Sequence, residues 1–545
     1  MENTASREPP DDLIRRLAEL NQIGIALSQE KDLDRLLEVI LIAAKKITHA
    51  DGGTLYRRPA GKDTLAFEII RTDSLKIAMG GTTGTKIPFP PLQLRDARGR
   101  ENLSMVAAYA ALKGRTVAIA DAYQEKGFDF SGTKAFDRHT GYHSTSFLTV
   151  PMKNHEDEII GVLQLINAQD RATGATVAFS ETDQRLAESL ASQAAVALTN
   201  RLLIVQLENL FESFIGLLNK AIDEKSPYTG GHCFRVPVLT MLLAEAVHET
   251  QTGPHALWNM TELDRHELKI AALLHDCGKV TTPVHVVDKG TKLSTIYDRI
   301  GLIDTRFEIL KRDAELAALR ANQAPDADRR AVDLAYHGRL WEIQDDREFL
   351  RTCNIGGEAM TPEDQGRVRA IAKKYRWRSP TGDEVDFLTE NEVENLTVRA
   401  GTLTAAERQI INHHVTVTIQ MLEALPWPKH LMNVPEYAGG HHERVDGKGY
   451  PRGLKGEQMS VQARIMGIAD IFEALTARDR PYKPGKTLTE SLHILGKMRL
   501  DGHIDPDLFD IFVRSRVYER YAKEFMNPAQ IDPVDVSKIP GYSGD

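Results

Sequence analysis

The sequence predicts a multidomain chain of two unlike folds: an α/β (α+β) module built on an antiparallel sheet, followed by an all-α helical bundle. Three observations carry this. Before residue 200, paired helical segments give way to short strands bounded by Gly, Asp and Asn turns. Beyond residue 230, nearly every apolar segment has a 3.6-residue period. The length of 545 residues also exceeds what one hydrophobic core ordinarily supports.

From Leu13 to about Ala50 apolar residues recur at helical spacing, and Ser28-Gln29-Glu30-Lys31-Asp32 interrupts them before Leu33–Ile47, which gives two helices. Gly53–Tyr56, Thr64–Arg71, Ser146–Met152 and Ile159–Ala168 read as strands. A closing helix runs on through Leu203, Leu207, Leu210, Phe214, Leu217 and Ala221, whose 4-3-4-3 spacing is that of a coiled-coil seam. Over so short a stretch the seam fits either dimerisation or packing on a domain core. The helix ends at Lys225-Ser226-Pro227, because proline disfavours helical backbone in the residue before it.

Phe234–Glu249, Thr261–Cys277, Thr404–Leu425, Val461–Ala477 and Leu488–Leu500 follow as helices of the second unit. Between Asp276 and His414 lies a long charged stretch. Arg306–Leu319 and Arg329–Cys353 are expected there as a hairpin turned at Gln323-Ala324-Pro325-Asp326, with a further helix over Glu363–Arg376. Charge runs such as Lys311-Arg312-Asp313-Ala314-Glu315 mark a solvated helix face.

Apolar residues make up 42% and charged residues 27%, the balance of a folded chain. With 68 basic and 77 acidic side chains the formal charge is −9, which argues against a general DNA binder, since that needs a basic field. An anionic ligand must then meet local positive charge, available near the most distinctive motifs as Lys279, Arg444, Lys448, Arg452, Arg480 and Lys483. Cys233, Cys277 and Cys353 form no CxxC pair, so neither a disulfide framework nor a thiolate zinc site is expected, and a reducing cytoplasmic setting fits. The N-terminus has no basic segment leading into an apolar core, and no apolar run is expected to span a membrane.

Gly141-Tyr142-His143-Ser144-Thr145-Ser146-Phe147-Leu148-Thr149-Val150-Pro151-Met152, followed by Ile159-Ile160-Gly161-Val162-Leu163-Gln164-Leu165-Ile166-Asn167, resembles a GAF sensory domain, and the resemblance covers residues 12–200. Phe179-Ser180-Glu181-Thr182-Asp183 is similar to part of the pattern of cyclic-nucleotide-binding GAF domains. Ala168 and Gln184 stand where that pattern has Lys and Glu, so the GAF ligand stays unknown.

His441-His442-Glu443-Arg444-Val445-Asp446-Gly447-Lys448-Gly449-Tyr450-Pro451 joins adjacent histidines, acidic residues and a Gly-rich turn. With Leu274-His275-Asp276-Cys277-Gly278-Lys279 upstream and Ala469-Asp470-Ile471-Phe472-Glu473-Ala474-Leu475 downstream, it resembles the HD-GYP family of metal-dependent cyclic di-GMP phosphodiesterases. The resemblance implies an HD phosphohydrolase-like helical bundle over residues 226–530, a helical linker over 201–225, a helical insertion over about 302–395 and a tail over 531–545.

It also implies His232, His275, Asp276, His414, His441, His442 and Asp470 as metal ligands, with Asp276 bridging two divalent ions. Imidazole and carboxylate donors suit Fe, Mn, Zn or Ni, and the family analogy favours Fe or Mn. Phosphodiester hydrolysis needs a nucleophile at neutral pH and neutralisation of charge on the phosphoryl oxygens, and a metal pair supplies both. Lys279 is expected to act with Asp276 and to hold a phosphate, Arg480 and Lys483 to contact a second phosphate, and Tyr450 to stack on the ligand.

The departures from the family also carry expectations. Tyr228 stands where some members have a Glu for a third metal, which implies a binuclear site and linear pGpG as the principal product. Thr418 replaces the usual Gly after the third motif histidine. His413 beside it faces elsewhere, because His414 falls in register with Leu403-Thr404-Ala405-Ala406-Glu407. Cys233 and Cys277 are expected as small buried residues, and His285 and His337 as ordinary polar ones.

The expected protein is a cytoplasmic, homodimeric phosphodiesterase of a cyclic dinucleotide, regulated by its GAF domain, with neither DNA nor membrane as a partner and a diguanylate cyclase as a candidate partner. Its rivals are a hydrolase of 3′,3′-cGAMP and a low-turnover receptor or scaffold.

Overall fold

In the computed structural model, which describes residues 10–226, 231–357, 359–477 and 485–544, the chain divides within one long helix into two units, Met1–Phe211 and Glu212–Asp545. Tyr228, Arg480 and Lys483 lie outside the described residues.

The first unit opens with α1 (Pro10–Gln29) and α2 (Leu33–Thr48), where Asp32 caps α2 by accepting from the Arg35 backbone N–H. Its sheet contains β1 (Ala50–Arg57), β2 (Thr64–Thr72), β3 (Ile77–Gly80), β4 (Leu92–Gln93), β5 (Val117–Ile119), β6 (Phe147–Lys153), β7 (Ile159–Gln169) and β8 (Thr176–Val177). The order is β3-β2-β1-β7-β6-β5, with β4 beside β2 and β8 beside β7, and every pairing is antiparallel. Two short helices, α3 (Val106–Lys113) and α4 (Ser131–Thr140), precede the closing helix α5 (Glu181–Lys225).

The four expected strands are β1, β2, β6 and β7. The strands and helices the sequence did not reveal are too short, or in α3 too uniformly apolar, to display a period. One face of the sheet packs Leu55, Ile69, Leu148 and Leu163 against Leu36, Ile40, Leu190 and Leu198 of α2 and α5. The other packs Tyr56, Leu65 and Val162 against the alanines of α3. With both faces covered, β1 is buried along almost its whole length. Asp183, in the incompletely matched nucleotide-binding pattern, accepts from Ser180 and pairs with Arg16 of α1, so its carboxylate anchors two helices.

In the second unit, α6 (His232–His248), α7 (Glu262–Leu274) and the short α8 (Val284–Val287) lead into the insertion, which comprises α9 (Ile300–Ala321), α10 (Arg329–Asn354), α11 (Pro362–Lys374), the hairpin of β9 (Arg376–Arg378) and β10 (Glu384–Asp386), and α12 (Glu390–Leu396). Then come α13 (Ala405–Glu423), α14 (Val434–Gly439), α15 (Val461–Thr476), α16 (Leu488–Leu500), α17 (Pro506–Arg514) and α18 (Val517–Phe525).

The unit is helical as expected, with one short hairpin inside the insertion, and one expectation is corrected: the helix expected to reach Arg376 stops at Lys374. Arg376 instead pairs with Asp386 across a turn containing Pro380 and Gly382 (φ 91°), residues that cannot continue a helix at low cost. The insertion has its own core, centred on Ile303, Phe307, Ile343, Leu350, Ile371, Tyr375 and Phe387.

A second correction concerns α5. It is long and apolar enough, by length and composition alone, to cross a membrane. Its apolar residues lie in stripes around the helix rather than in one run, so the sequence displays no continuous segment. Leu207, Leu210, Phe214 and Leu217 of the seam are each about two-thirds exposed, whereas Ile215, Asn219, Ile222 and Ser226 on the adjoining stripe are buried.

The Thr404-x-x-Glu407 lead into α13 is a capping box, in which each residue bonds the other's backbone N–H. Glu407 also takes both its oxygens to Lys289 Nζ at 2.7 Å, and Asn395 Oδ1 meets the same nitrogen at 2.7 Å. The insertion is thereby tied to the helix that bears His414. Lys289→Met is expected to cost about 3 kcal/mol, because it strands a half-buried carboxylate, and urea denaturation measures it.

Candidate metal centre

Five elements bring the motif residues together. His232 is the first residue of α6, preceded by Gly231 at φ 85°. His275 and Asp276 leave the end of α7, His414 lies on α13, His441 and His442 follow α14, and Asp470 is on α15. All seven expected ligands converge. His232, His275 and Asp276 place a donor atom each within 4.8 Å of one another, and His414, His441 and His442 do the same.

Asp276 joins the groups. Its Oδ2 lies 3.1 Å from His232 Nε2 and 3.3 Å from His275 Nε2, while its Oδ1 lies 3.2 Å from His414 Nε2. Asp470 parallels it less closely, with Oδ1 3.2 Å from His232 Nε2 and Oδ2 3.9 Å from His442 Nδ1.

The imidazoles are aimed by their backbone. His275, His414 and His441 each turn Nδ1 to the carbonyl three residues earlier, of Ala272, Ile411 and Ala438. A carbonyl only accepts, so Nδ1 carries the proton and Nε2 is presented to the centre. Asp276 Oδ1, His414 Nε2 and His441 Nε2 are buried without a hydrogen-bond partner. Acceptors facing one another in a buried site call for a cation between them, so the donor set fits metal.

Charge follows the same geometry. Burial alone would raise the Asp276 carboxyl, but Lys279, His275 and His232 hold it well below the ordinary carboxylate range. Burial likewise opposes a charge on His232, yet Glu473, Asp276 and Asp470 push it well above the usual imidazole value. Burial lowers His441 strongly and His442 to about 4, which leaves both neutral and able to ligate near pH 7.

Glu473 is a functional residue that sequence reasoning missed. It is 1% exposed, accepts from His232 Nδ1 at 2.5 Å and from Arg235 Nε at 2.6 Å, and thereby aims one of the two expected histidine ligands that lack a carbonyl partner. Its spacing from Asp470, one turn of α15, was the available signal.

Around the centre, Lys279 pairs with Asp276, and the Tyr450 ring stacks on His442 at 4.9 Å and 27°. Gly447 has φ 79°, and a Cβ on Gly449 would stand 2.4 Å from the Arg444 backbone nitrogen, so each glycine meets a separate demand of the turn. Glu443 accepts from the backbone of Arg452 and Leu454 and closes that loop. The expected reserve of positive charge is smaller than the residue count implies, since Arg444 and Lys448 pair with Asp446 and Arg452 with Glu423.

His413 is exposed, and His414 faces inward. Thr418 is buried and its hydroxyl accepts from Gly278 N–H at 2.9 Å, pinning the loop after Asp276 to α13. A Cβ on Gly278 would fall 2.0 Å from the His414 carbonyl oxygen. Gly278→Ala is therefore expected to destabilise by about 1–3 kcal/mol and to loosen metal at the His414 group, as thermal melting and metal analysis of one sample would record.

His255, Asp505 and Asp507 form a third group of similar spacing. There Asp505 already caps α17 and pairs with Arg464, which accounts for its carboxylate.

Family models match the chain as a GAF domain over residues 32–198 and as HD domains over 229–372 and 391–508. The chain is 38% identical over 125 residues to the 3′3′-cGAMP-specific phosphodiesterase 1 of Vibrio cholerae serotype O1, covering 22% of this chain and 27% of that protein. It is 44% identical over 75 residues to a cyclic di-GMP phosphodiesterase of Pseudomonas aeruginosa, covering 14% and 17%. It is 34% identical over 122 residues to the cyclic di-GMP phosphodiesterase of Thermotoga maritima, covering 22% and 32%. The chain thus matches less than a third of the length of each of these relatives.

Proposed function

We propose that this chain, which joins a GAF domain to an HD domain of the HD-GYP kind, is a metal-dependent phosphodiesterase that opens cyclic di-GMP to linear pGpG. The observation that carries the reading is the division of Asp276 between two donor groups, one oxygen toward His232 and His275 and the other toward His414. Two divalent ions, with Fe or Mn favoured, would supply the nucleophile and neutralise the phosphoryl oxygens.

The chain's own residues do the rest. His232, His275, Asp276, His414, His441, His442 and Asp470 hold the ions, and Lys279 offers its ammonium group to a phosphate oxygen at the edge of the centre. Tyr450, stacked on His442, provides a flat surface for a purine base. Arg480 and Lys483 are assigned to the second phosphate by family analogy alone. The GAF domain regulates turnover in a cytoplasmic homodimer, whose seam is the exposed stripe of Leu207, Leu210, Phe214 and Leu217.

Similarity to a 3′3′-cGAMP-specific enzyme favours one second reading, in which that dinucleotide is the better substrate. Both readings are tested by turnover of the two dinucleotides with protein purified anaerobically, with metal measured on the same sample and products separated by chromatography. Formation of pGpG with about two metals per chain is expected. A higher kcat/KM for 3′,3′-cGAMP would install the second reading, and no product from fully metallated protein would overturn both.

A further inference from the structure

The last turns of α5 reach the two segments that carry the first metal-binding group. Ile215, Asn219 and Ile222, with Ser226 just past the helix, form a buried stripe inside the second unit. Beside them, Asp223 Oδ2 accepts from Gly231 N–H at 3.2 Å, on the residue immediately before His232. Lys225 Nζ donates to the carbonyl of Lys279 at 3.2 Å and to that of Val280, just beyond Asp276. The Ser226 hydroxyl donates to Asp288 in the same region. One helical turn thus grips the backbone on both sides of the group formed by His232, His275 and Asp276.

This grip is polar and only partly satisfied. Asn219 is 1% exposed and neither atom of its amide has a hydrogen-bond partner, and Asp223 Oδ1 is buried without one. Buried polar atoms without partners each cost stability. The same helix begins at Glu181, inside the GAF unit, and is unbroken to Lys225.

We propose that Asp223 and Lys225 are positioning residues for the metal centre, setting the placement of His232 and of the loop carrying Asp276 and Lys279, so that the end of α5 is the part of the fold through which the GAF unit acts on the site. The inference rests on the phosphodiesterase reading for its regulatory meaning, but not for its test.

The test is Mn²⁺ affinity of the full-length protein, measured by titration together with thermal melting of each sample. Asp223→Ala and Lys225→Ala are each expected to weaken Mn²⁺ binding by about 10-fold, the effect usual for groups that orient metal ligands. Asp223→Asn and Lys225→Arg keep the acceptor and the donor and should retain wild-type affinity. So should Glu224→Ala, on the exposed side of the same turn. Wild-type affinity in both alanine variants overturns the proposal. So does equal loss in Lys225→Arg and Lys225→Ala, which would mark a bulk packing role. Should Mn²⁺ affinity follow the expected pattern while no variant, nor the wild type, turns over either cyclic di-GMP or 3′,3′-cGAMP, the phosphodiesterase reading fails and the positioning role stands.

Discussion

Asp276→Ala is expected to abolish turnover, lowering kcat by about 10³-fold or more, since a metal clamp contributes several kcal/mol to such a transition state. The expectation follows from the division of its carboxylate. Oδ2 faces His232 and His275, Oδ1 faces His414, and among the described residues no other side chain approaches both groups as closely. Asp470 reaches His442 only at 3.9 Å and cannot take over the bridge without moving α15. Bound metal should fall from about two ions per chain to at most one. Asp276→Asn should behave almost as poorly despite its matching shape, because a neutral amide neither bridges cations nor balances Lys279. Turnover within about tenfold of wild type at full metal content would remove Asp276 from the centre.

The second large effect is expected at Glu473. Glu473→Ala removes the acceptor that orients His232, and metal affinity should drop by about 10- to 100-fold. Glu473→Gln separates orientation from charge. Its side chain still accepts from His232 Nδ1, but it no longer helps hold a proton on that ring. In the metal-free protein His232 is raised above the usual imidazole value, so a metal must displace a proton there, and affinity should rise with pH through the neutral range. His441 and His442 are pushed the other way, His442 to about 4, and bind without displacing a proton. Glu473→Gln should therefore keep most of the affinity while flattening its pH dependence, whereas Glu473→Ala loses both. Metal titrations at several pH values decide the matter, and an unchanged slope in Glu473→Gln would show that Glu473 does not hold the proton.

Legibility in the sequence followed the range of the interaction. Helices with several turns of period, such as α2, α13, α15 and α16, are plain from spacing, and their caps are local: Asp32, Thr404, Ser460 and Thr487 each bond within three residues. The two-residue strands β4 and β8 and the β9–β10 hairpin are too short for any period, and long-range pairing alone specifies them. The absence of a continuous apolar run hid what α5 possesses as a helix, because its apolar residues are spread around the axis.

The sequence by itself singled out the candidate residues for metal chemistry, since imidazoles and carboxylates in the motifs around His275, His441 and Asp470 have few other reasons to recur together. It also determined the helical frame that presents them. Tertiary structure alone decided how these donors divide. The split of Asp276 between two groups, the pinning of Gly278 by Thr418, and the support of His232 by a glutamate 241 residues away each join parts of the chain that no local pattern relates. The physical reason is that hydrogen-bond periodicity along a helix propagates over a few residues, whereas a buried polar group must find its partner wherever packing brings one.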